Sequence, residues 1–171
     1  MKRKAVYGIM LTLFSIGMLT LAFNIQPVKA EPRTWTVDDD GPADFSTIQE
    51  AINAANPEDI IYVYNGTYYE NVIVNKTVSL IGENLSTTIL DGGGKGTVVY
   101  VTVNHVAISG FSIQNSGRAW PDSGILLKYS GGSKIGNNNL IDNHHGIWLQ
   151  VSASNEINNN IIVNNGYDGI L

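Results

Sequence analysis

The fold is decided by two stretches of similar sequence, SGILLKYS at residues 123–130 and HGIWLQVS at residues 145–152. They lie 22 positions apart, and a third copy begins with Gly-Ile-Leu at residues 169–171, 23 positions after Gly146. The segments between the copies also correspond. A period of this length is typical of a solenoid, in which each repeat packs against the next one.

The composition of the repeat distinguishes among the kinds of solenoid. A leucine-rich repeat needs a ladder of leucines and a helical segment, and this repeat has neither. Its apolar runs are two to four residues long and rich in β-branched residues, and Asn or Gly interrupts nearly every one. The pattern predicts an all-β fold, a right-handed parallel β-helix of about five coils, with three short strands per coil and ~4.8 Å between coils.

The asparagines are explained by the corners between these strands. Asparagine tolerates left-handed backbone better than most residues, and stacked amides can hydrogen-bond from one coil to the next. Glycine suits a position that needs positive φ or a close approach of two backbones. The structural corner residues that we predict are Asn115, Asn143 and Asn164 in one set and Gly124, Gly146 and Gly169 in another.

A helix is predicted at residues 46–55, before the coils begin. Ser46 and Gln49 have the spacing of a capping box, and Asn56-Pro57 ends the helical pattern. Its apolar residues fall on one stripe, so we expect the helix to cover the first coil, as the end of a solenoid requires.

The first 30 residues have the pattern of an export signal. Three basic residues at positions 2–4 precede an apolar run at residues 5–23, and Val28-Lys29-Ala30 resembles a cleavage site. We therefore predict a secreted or cell-surface β-helix domain at residues 31–171. The alternative is an uncleaved anchor that spans a membrane through residues 5–23. Because Leu171 stops in mid-strand, we also expect that a missing segment continues the solenoid.

Charge and composition restrict the partners. Residues 1–30 contain four of the ten Lys and Arg residues and none of the 15 Asp and Glu residues, so their removal changes the formal charge from −5 to −9. Such a surface repels nucleic acid and anionic lipid. The absence of cysteine excludes disulfides and thiolate chemistry. Three N-x-S/T triplets are candidate glycosylation sites, at Asn65, Asn75 and Asn84.

Residues 36–94 carry phrases that resemble the opening of pectin methylesterases, secreted proteins of the pectin-lyase-like superfamily. The shared phrases are Asp-Phe-x-Thr-Ile-Gln-x-Ala-Ile at 44–52, Ile-Tyr-Val at 61–63, Gly-x-Tyr-x-Glu-x-Val at 66–72 and Leu-Ile-Gly at 80–82. The later Gly-Ile repeats are similar to those of NosD-type, carbohydrate-associated β-helix proteins. The resemblance covers nearly all of residues 36–171 and implies a parallel β-helix, but one fold hosts several chemistries.

The catalytic motifs of these relatives do not occur in the sequence. Pectin methylesterases carry Asp-Phe-Ile-Phe-Gly, which is absent, and pectate lyases combine calcium-binding carboxylates with basic residues. After residue 100 the basic residues are Arg118, Lys128 and Lys134, and the acidic residues do not recur at one offset. We interpret Asp142 and Asp168 as turn formers. The catalytic residues are therefore unknown, and the chain is interpreted as a non-catalytic part of a polysaccharide-active protein.

A ligand-binding face is predicted on the outside of the strands that contain Gly-Ile. If Ile147 points inward, Trp148 points outward, and Leu126 has the same position one coil earlier. The longer connection at residues 118–122 places Trp120 near this stripe. Flat aromatic and apolar side chains suit stacking against sugar rings, so Trp148, Trp120 and Leu126 are the candidate carbohydrate-binding residues.

Metal binding receives little support from the sequence. Adjacent histidines on a strand point to opposite faces, so we interpret His144 and His145 as solvated corner residues and predict no metal ligands. Asp38-Asp39-Asp40 could hold calcium but lacks the ligand spacing of an EF-hand, so no cofactor is evident. Besides carbohydrate binding, two hypotheses stay open: a structural or adhesive solenoid, and a NosD-type accessory protein with a copper-related role.

Overall fold

The structure, a computed structural model, describes residues 31–171, which form one helix and fifteen short strands. The predicted signal at residues 1–30 lies outside the described residues. The helix of the described part is too short and not apolar enough to cross a membrane. The elements are β1 (Thr34–Val37), α1 (Ile48–Ala54), β2 (Ile60–Val63), β3 (Gly66–Tyr68), β4 (Val72–Val74), β5 (Ser79–Gly82), β6 (Thr88–Asp91), β7 (Val99–Val101), β8 (Ala107–Ser109), β9 (Ser112–Gln114), β10 (Ser123–Lys128), β11 (Lys134–Gly136), β12 (Asn139–Ile141), β13 (His145–Gln150), β14 (Glu156–Asn158) and β15 (Ile161–Val163).

The strands form three parallel sheets that wind into a solenoid of about six turns. A six-stranded sheet has the order β1-β2-β5-β8-β11-β14, a five-stranded sheet β15-β12-β9-β6-β3 and a four-stranded sheet β13-β10-β7-β4. The predicted parallel β-helix is confirmed, and the number of turns is close to the predicted five. The first strand, β1, was not predicted because it precedes the helix and has no repeated partner in the sequence.

The register confirms the alignment of the repeated stretches. Ser123 pairs with His145, and Lys134 pairs with Glu156, each 22 positions apart. Earlier coils vary more, since Ile60 pairs with Ser79, 19 positions later, whereas Ser112 pairs with Asn139, 27 positions later. The connections between strands therefore change in length while the strands keep their stacking.

The interior of the solenoid is filled by aliphatic side chains that alternate with outward-facing residues. In the four-stranded sheet, Val99 pairs with Ile125 and Ile125 pairs with Ile147, and all three side chains are fully buried. Each such side chain contributes about 1.5–3 kcal/mol when it is removed from water. A continuous column of buried aliphatics replaces the disulfides that this chain lacks.

The helix covers the first coil, as expected, but its boundaries differ from the prediction. It runs from Ile48 to Ala54, and the N-cap is Thr47, whose side chain accepts a hydrogen bond from the Glu50 amide. The Gln49 amide group instead bonds the backbone of Ile73 in β4. The predicted capping box of Ser46 and Gln49 was wrong, because the carboxylate of Glu70 accepts the free backbone amides at positions 48 and 49.

Two of the three predicted corner glycines lie within strands. Gly124 and Gly146 belong to β10 and β13, and neither they nor Gly169 have positive φ. Close backbone approach is their constraint. A Cβ on Gly124 would lie 2.9 Å from the Gly146 carbonyl oxygen, and one on Gly146 would collide with the Gly169 carbonyl oxygen.

The predicted asparagine set divides into two columns. Asn115 and Asn164 have positive φ, and the residue between them in register is Asp142, not Asn143. Asn143 lies one position further, in register with Asn165, whose side-chain oxygen accepts the backbone amide of Asn143. Each of the two side chains also donates to a backbone carbonyl of the preceding coil, and we call this column the amide ladder. The alignment was wrong by one residue because runs of Asn, Asp and Ile do not fix the register by themselves.

Candidate functional site

The outward face of the four-stranded sheet carries a column of apolar side chains. Ile73 pairs with Tyr100, Tyr100 with Leu126, and Leu126 with Trp148. Leu126 and Trp148 were predicted to be exposed, and this is wrong for both. Leu126 is 5% exposed and Trp148 is 6% exposed, whereas Ile73 at the other end is 47% exposed.

The loop at residues 115–122 covers the end of the column. Trp120 packs against Trp148 with 4.3 Å between ring centroids and is itself 66% exposed. The loop is held by the Asp122 carboxylate, which accepts the Ala119 amide, and by the bond from the Gly117 amide to the Gly96 carbonyl. Of the three predicted ligand-binding residues, Trp120 is therefore available to a ligand, and Trp148 supports it from below.

A groove runs beside this loop across four coils. Its volume is about 380 Å³. One edge is Pro121 of the loop, and the groove crosses β4, β7, β10 and the end of β13. The residues that line it are Asn71, Val72, Ile73, Thr97, Tyr100, Pro121, Leu126, Lys128 and Gln150.

The polar groups of the groove are a lysine, a phenol, a hydroxyl and two amides. Lys128 carries a positive charge, and among the described residues that line the groove there is no carboxylate. The Asn71 amide is fixed, because it donates hydrogen bonds to the carbonyls of Lys95 (2.6 Å) and Thr97 (3.0 Å). The groove is thus a local region without negative charge on a chain of strongly acidic composition.

Sequence reasoning missed Tyr100, Lys128 and Gln150. The signal was present, because Lys128 and Gln150 lie two positions after Leu126 and Trp148 and therefore share their outward face. A second, smaller pocket of about 210 Å³ adjoins the groove at Asn71 and is lined also by Tyr69. Tyr69 is 77% exposed and extends the aromatic surface.

His144, which precedes β13, and His145, its first residue, were interpreted as solvated, and this is wrong. His144 is 8% exposed and His145 is 1% exposed. Their rings do not point to opposite faces, since the centroids lie 4.7 Å apart. The strand begins at His145, so its alternation does not extend to His144. Both rings contact Tyr167, and His145 also contacts Trp120 and Trp148.

The ring nitrogens of this pair lack hydrogen-bond partners. They are Nδ1 of His144 and both nitrogens of His145, all buried. The Asp168 carboxylate lies 3.4 Å from Nδ1 of His145, which is an ion-pair distance without hydrogen-bond geometry. Burial, with a smaller contribution from His144, lowers the pKa of His145, although Asp168 opposes the shift. Neutral imidazole is therefore the dominant form of His145 at pH 7.

The remaining predicted residues lie elsewhere. Asn65, Asn75 and Asn84 are exposed, so glycosylation there stays a prediction. The carboxylates of residues 38–40 approach within 4.8 Å of one another at the surface near the first coil. One of them, Asp39, accepts the Thr67 amide and so has a structural role.

The solenoid and its motifs define a pectin-lyase-like parallel β-helix. A family model described as "Periplasmic copper-binding protein (NosD)" matches residues 51–171, and the chain belongs to this family. In Arabidopsis thaliana, "Pectinesterase 1" is 34% identical over 101 residues, which cover 53% of this chain and 16% of that protein. "Probable pectinesterase/pectinesterase inhibitor 17" is 33% identical over 101 residues and is covered to 20%. The chain thus spans a fifth or less of these two relatives.

Solved structures share the fold. A pectin methylesterase from carrot has a TM-score of 0.57 and 19% identity, with 72% of this chain and 46% of that chain covered. An alginate lyase from Paenibacillus sp. str. FPU-7 has a TM-score of 0.60 and 19% identity, with 75% and 44% covered. A pectin methylesterase in complex with a hexasaccharide has a TM-score of 0.59 and 14% identity, with 70% and 46% covered.

The copper in the family's description can be tested against the residues of this chain. The three methionines occur at residues 1–30, and the chain has no cysteine, so imidazole and carboxylate are the available donors in residues 31–171. Imidazole binds copper well, but the rings of His144 and His145 meet edge to face with 4.7 Å between centroids, and no third His, Asp or Glu among residues 31–171 completes a donor cluster with them. The residues present therefore do not fit a copper ion.

Proposed function

We propose that this chain acts outside the cytoplasm as a non-catalytic protein that binds a polysaccharide in the groove beside the 115–122 loop. The observation that carries the proposal is the groove itself, which combines apolar and aromatic surface with Lys128 and amides across four coils. A saccharide has apolar ring faces and a rim of hydroxyls, and it is bound by this combination of groups.

The direction of the groove suits an extended chain. Successive strands of a sheet lie ~4.8 Å apart, which is similar to the length of one sugar unit, so successive coils can contact successive sugars. Tyr100 and Leu126 are neighbours on adjacent strands and would contact ring faces. Lys128 would pair with a carboxylate or hydroxyl of the ligand. Solved neighbours of the same fold include the alginate lyase and the pectin methylesterase with a bound hexasaccharide, which supports a saccharide.

The test is a calorimetric titration with oligogalacturonate, oligoalginate and neutral dextran fragments. Lys128→Gln and Tyr100→Ala should each weaken binding of the preferred saccharide about tenfold, which corresponds to ~1.4 kcal/mol. Lys134→Gln is the matched control for the lysine, because Lys134 lies on the six-stranded sheet and pairs with Glu156. Tyr62→Ala on the same sheet is the control for the tyrosine.

The arms of this titration separate the alternatives. Tight binding of the acidic oligosaccharides alone would assign Lys128 to a carboxylate, whereas equal binding of dextran would assign it to a hydroxyl. No binding of any saccharide, with the protein folded, would contradict the proposal and favour a structural or adhesive solenoid.

A further inference from the structure

The strands of the last coils end in a common way, with left-handed backbone at the next residue. After β8, β9, β11, β12, β14 and β15, the residue with positive φ is small or tolerates this backbone. These residues are Gly110, Asn115, Asn137, Asp142, Asn159 and Asn164. Glycine, asparagine and aspartate adopt left-handed backbone at low cost, so these six corners agree with the local preferences of the sequence.

The corner after the four-stranded sheet breaks this rule. Tyr129 directly follows β10 with a φ of 54°, and Val151 directly follows β13 with a φ of 51°. A positive φ is a genuine outlier for a bulky or β-branched residue, and it lowers the stability of the fold. Asparagine would serve this corner better, so folding alone does not explain the two side chains. Residues that break a local rule are expected at functional sites.

Both side chains extend into solvent. Tyr129 is 67% exposed and Val151 is 74% exposed. They lie on successive coils, one position after the pair of Lys128 and Gln150, and the Tyr129 amide donates to the Gln150 carbonyl at 3.1 Å. The two side chains therefore form an apolar surface at the ends of neighbouring strands.

This surface adjoins the proposed saccharide groove. Lys128 and Gln150, which precede the two residues, line the groove. The Lys128 ammonium lies 5.7 Å from the centroid of the Tyr129 ring, so the ring stands on the same side as the positive charge of the groove. Pro121 borders the groove near the start of β10, and Tyr129 lies at the other end of that strand.

We propose that Tyr129 and Val151 are binding residues of the groove and form its wall at the ends of β10 and β13. The inference rests on the proposed saccharide function, and it adds two residues to the site. An exposed aromatic ring beside a cation suits a sugar, which has an apolar face and a rim of hydroxyls. The unfavourable backbone is then the consequence of placing these side chains at a corner, and it makes the protein less stable than folding requires.

The experiment combines thermal unfolding with calorimetric titration of the chain, using oligogalacturonate, oligoalginate and neutral dextran fragments. Tyr129→Asn and Val151→Asn should each raise the Tm by about 3 °C, because asparagine relieves the backbone. The same variants should weaken binding of the preferred saccharide. We expect about a tenfold loss for Tyr129→Asn, which removes a ring, and about threefold for Val151→Asn, which removes less apolar surface.

The matched variant is Tyr129→Phe, which keeps the ring and the unfavourable backbone. It should melt like the wild type and retain most of the affinity. Unchanged affinity in Tyr129→Asn, while Lys128→Gln weakens binding, would overturn this inference and leave the proposed function standing. A lower Tm in both asparagine variants, or equal losses of affinity in Tyr129→Phe and Tyr129→Asn, would also overturn it. Absence of saccharide binding by the wild type would overturn the proposed function and the wall together.

Discussion

The first coils and the last coils of the solenoid satisfy their backbone groups in different ways. In the first coils, single carboxylates accept hydrogen bonds from the backbone. Asp59 accepts from the amides of Arg33 and Asn56, and Glu70 accepts from the first two amides of the helix. In the last coils, asparagine side chains bond the backbone groups at a spacing of 22 residues, as in the ladder of Asn143 and Asn165. A repeated corner can use a neutral side chain that is both donor and acceptor, whereas each irregular corner needs its own solution.

The largest expected effect is on the amide ladder. The buried Asn143 accepts the Ser116 amide and donates to the Ile113 carbonyl, so Asn143→Ala removes a buried hydrogen bond from each of these two backbone groups. At about 1–3 kcal/mol for each group, the free energy of unfolding should fall by about 4 kcal/mol in urea titrations. Asn165→Ala breaks equivalent bonds where water can enter, and should cost about 1 kcal/mol. Equal losses for both variants would show that the ladder does not depend on burial.

Backbone contact between the last coils comes next. A Cβ on Gly146 would collide with the carbonyl of Gly169 and lie 2.7 Å from a methyl group of Ile162. Gly146→Ala should therefore destabilise the protein by about 2–3 kcal/mol, the usual cost of overpacking. Gly169→Ala is the matched control, because its Cβ meets Ile162 at 3.4 Å. A thermal scan in which both variants unfold together with the wild type would contradict the close stacking of these strands.

The carboxylates of the first coils should make that region dependent on pH. Burial raises the pKa of Asp59, but hydrogen bonds from the amides of Arg33 and Asn56 and from the Trp35 indole outweigh it and hold the pKa below 3.8. The charged form therefore stabilises the fold above pH ~4, and this stabilisation is lost as the pH falls through the lowered pKa. Asp59→Asn should cost about 2 kcal/mol at pH 7.

The difference between Asp59→Asn and the wild type should shrink below pH ~4, because the wild-type carboxyl is then protonated as well. Urea titrations at several pH values measure it. The difference in unfolding free energy between Asn165→Ala and the wild type should stay constant over the same pH range, since an amide does not titrate. A constant difference for Asp59→Asn would contradict the role of its charge.

The smallest expected effect is at the helix that covers the first coil. Glu70→Gln keeps the shape of the side chain but removes the charge that faces the start of α1. The unfolding free energy should fall by about 1 kcal/mol, as for the loss of a helix cap. Hydrogen exchange should increase at residues 48–52 and not in β10 to β15. Uniform exchange changes would indicate that the helix is not a separate cover.

The last coils could be predicted from the sequence better than the first coils. Isoleucines spaced by 22 residues in the last coils predicted the parallel stacking, because a repeat reports on its neighbours. The partners of Glu70 and the Arg33 partner of Asp59 were not predictable, since they lie 21–26 positions away and occur once. The prediction that Trp148 and the two histidines are exposed was also wrong, because the 115–122 loop departs from the repeat and covers them.

The departure from the repeat is where the candidate site lies. The coil that contains the loop is 27 residues long, against 22 for the next one. The loop supplies Pro121 to the groove and Trp120 to the aromatic cluster. The regular coils thus provide a stable sheet, and the longer connection shapes a binding surface on it.

Binding of a saccharide in the groove beside this loop can be measured directly. The most direct measurement is an NMR titration of isotope-labelled protein with oligogalacturonate or oligoalginate, followed through backbone amide shifts. We expect saturable changes at Thr97, Tyr100, Lys128 and Gln150, and little change on the six-stranded sheet at β5, β8 and β11. Changes centred on that sheet, or no changes at saturating saccharide, would contradict it.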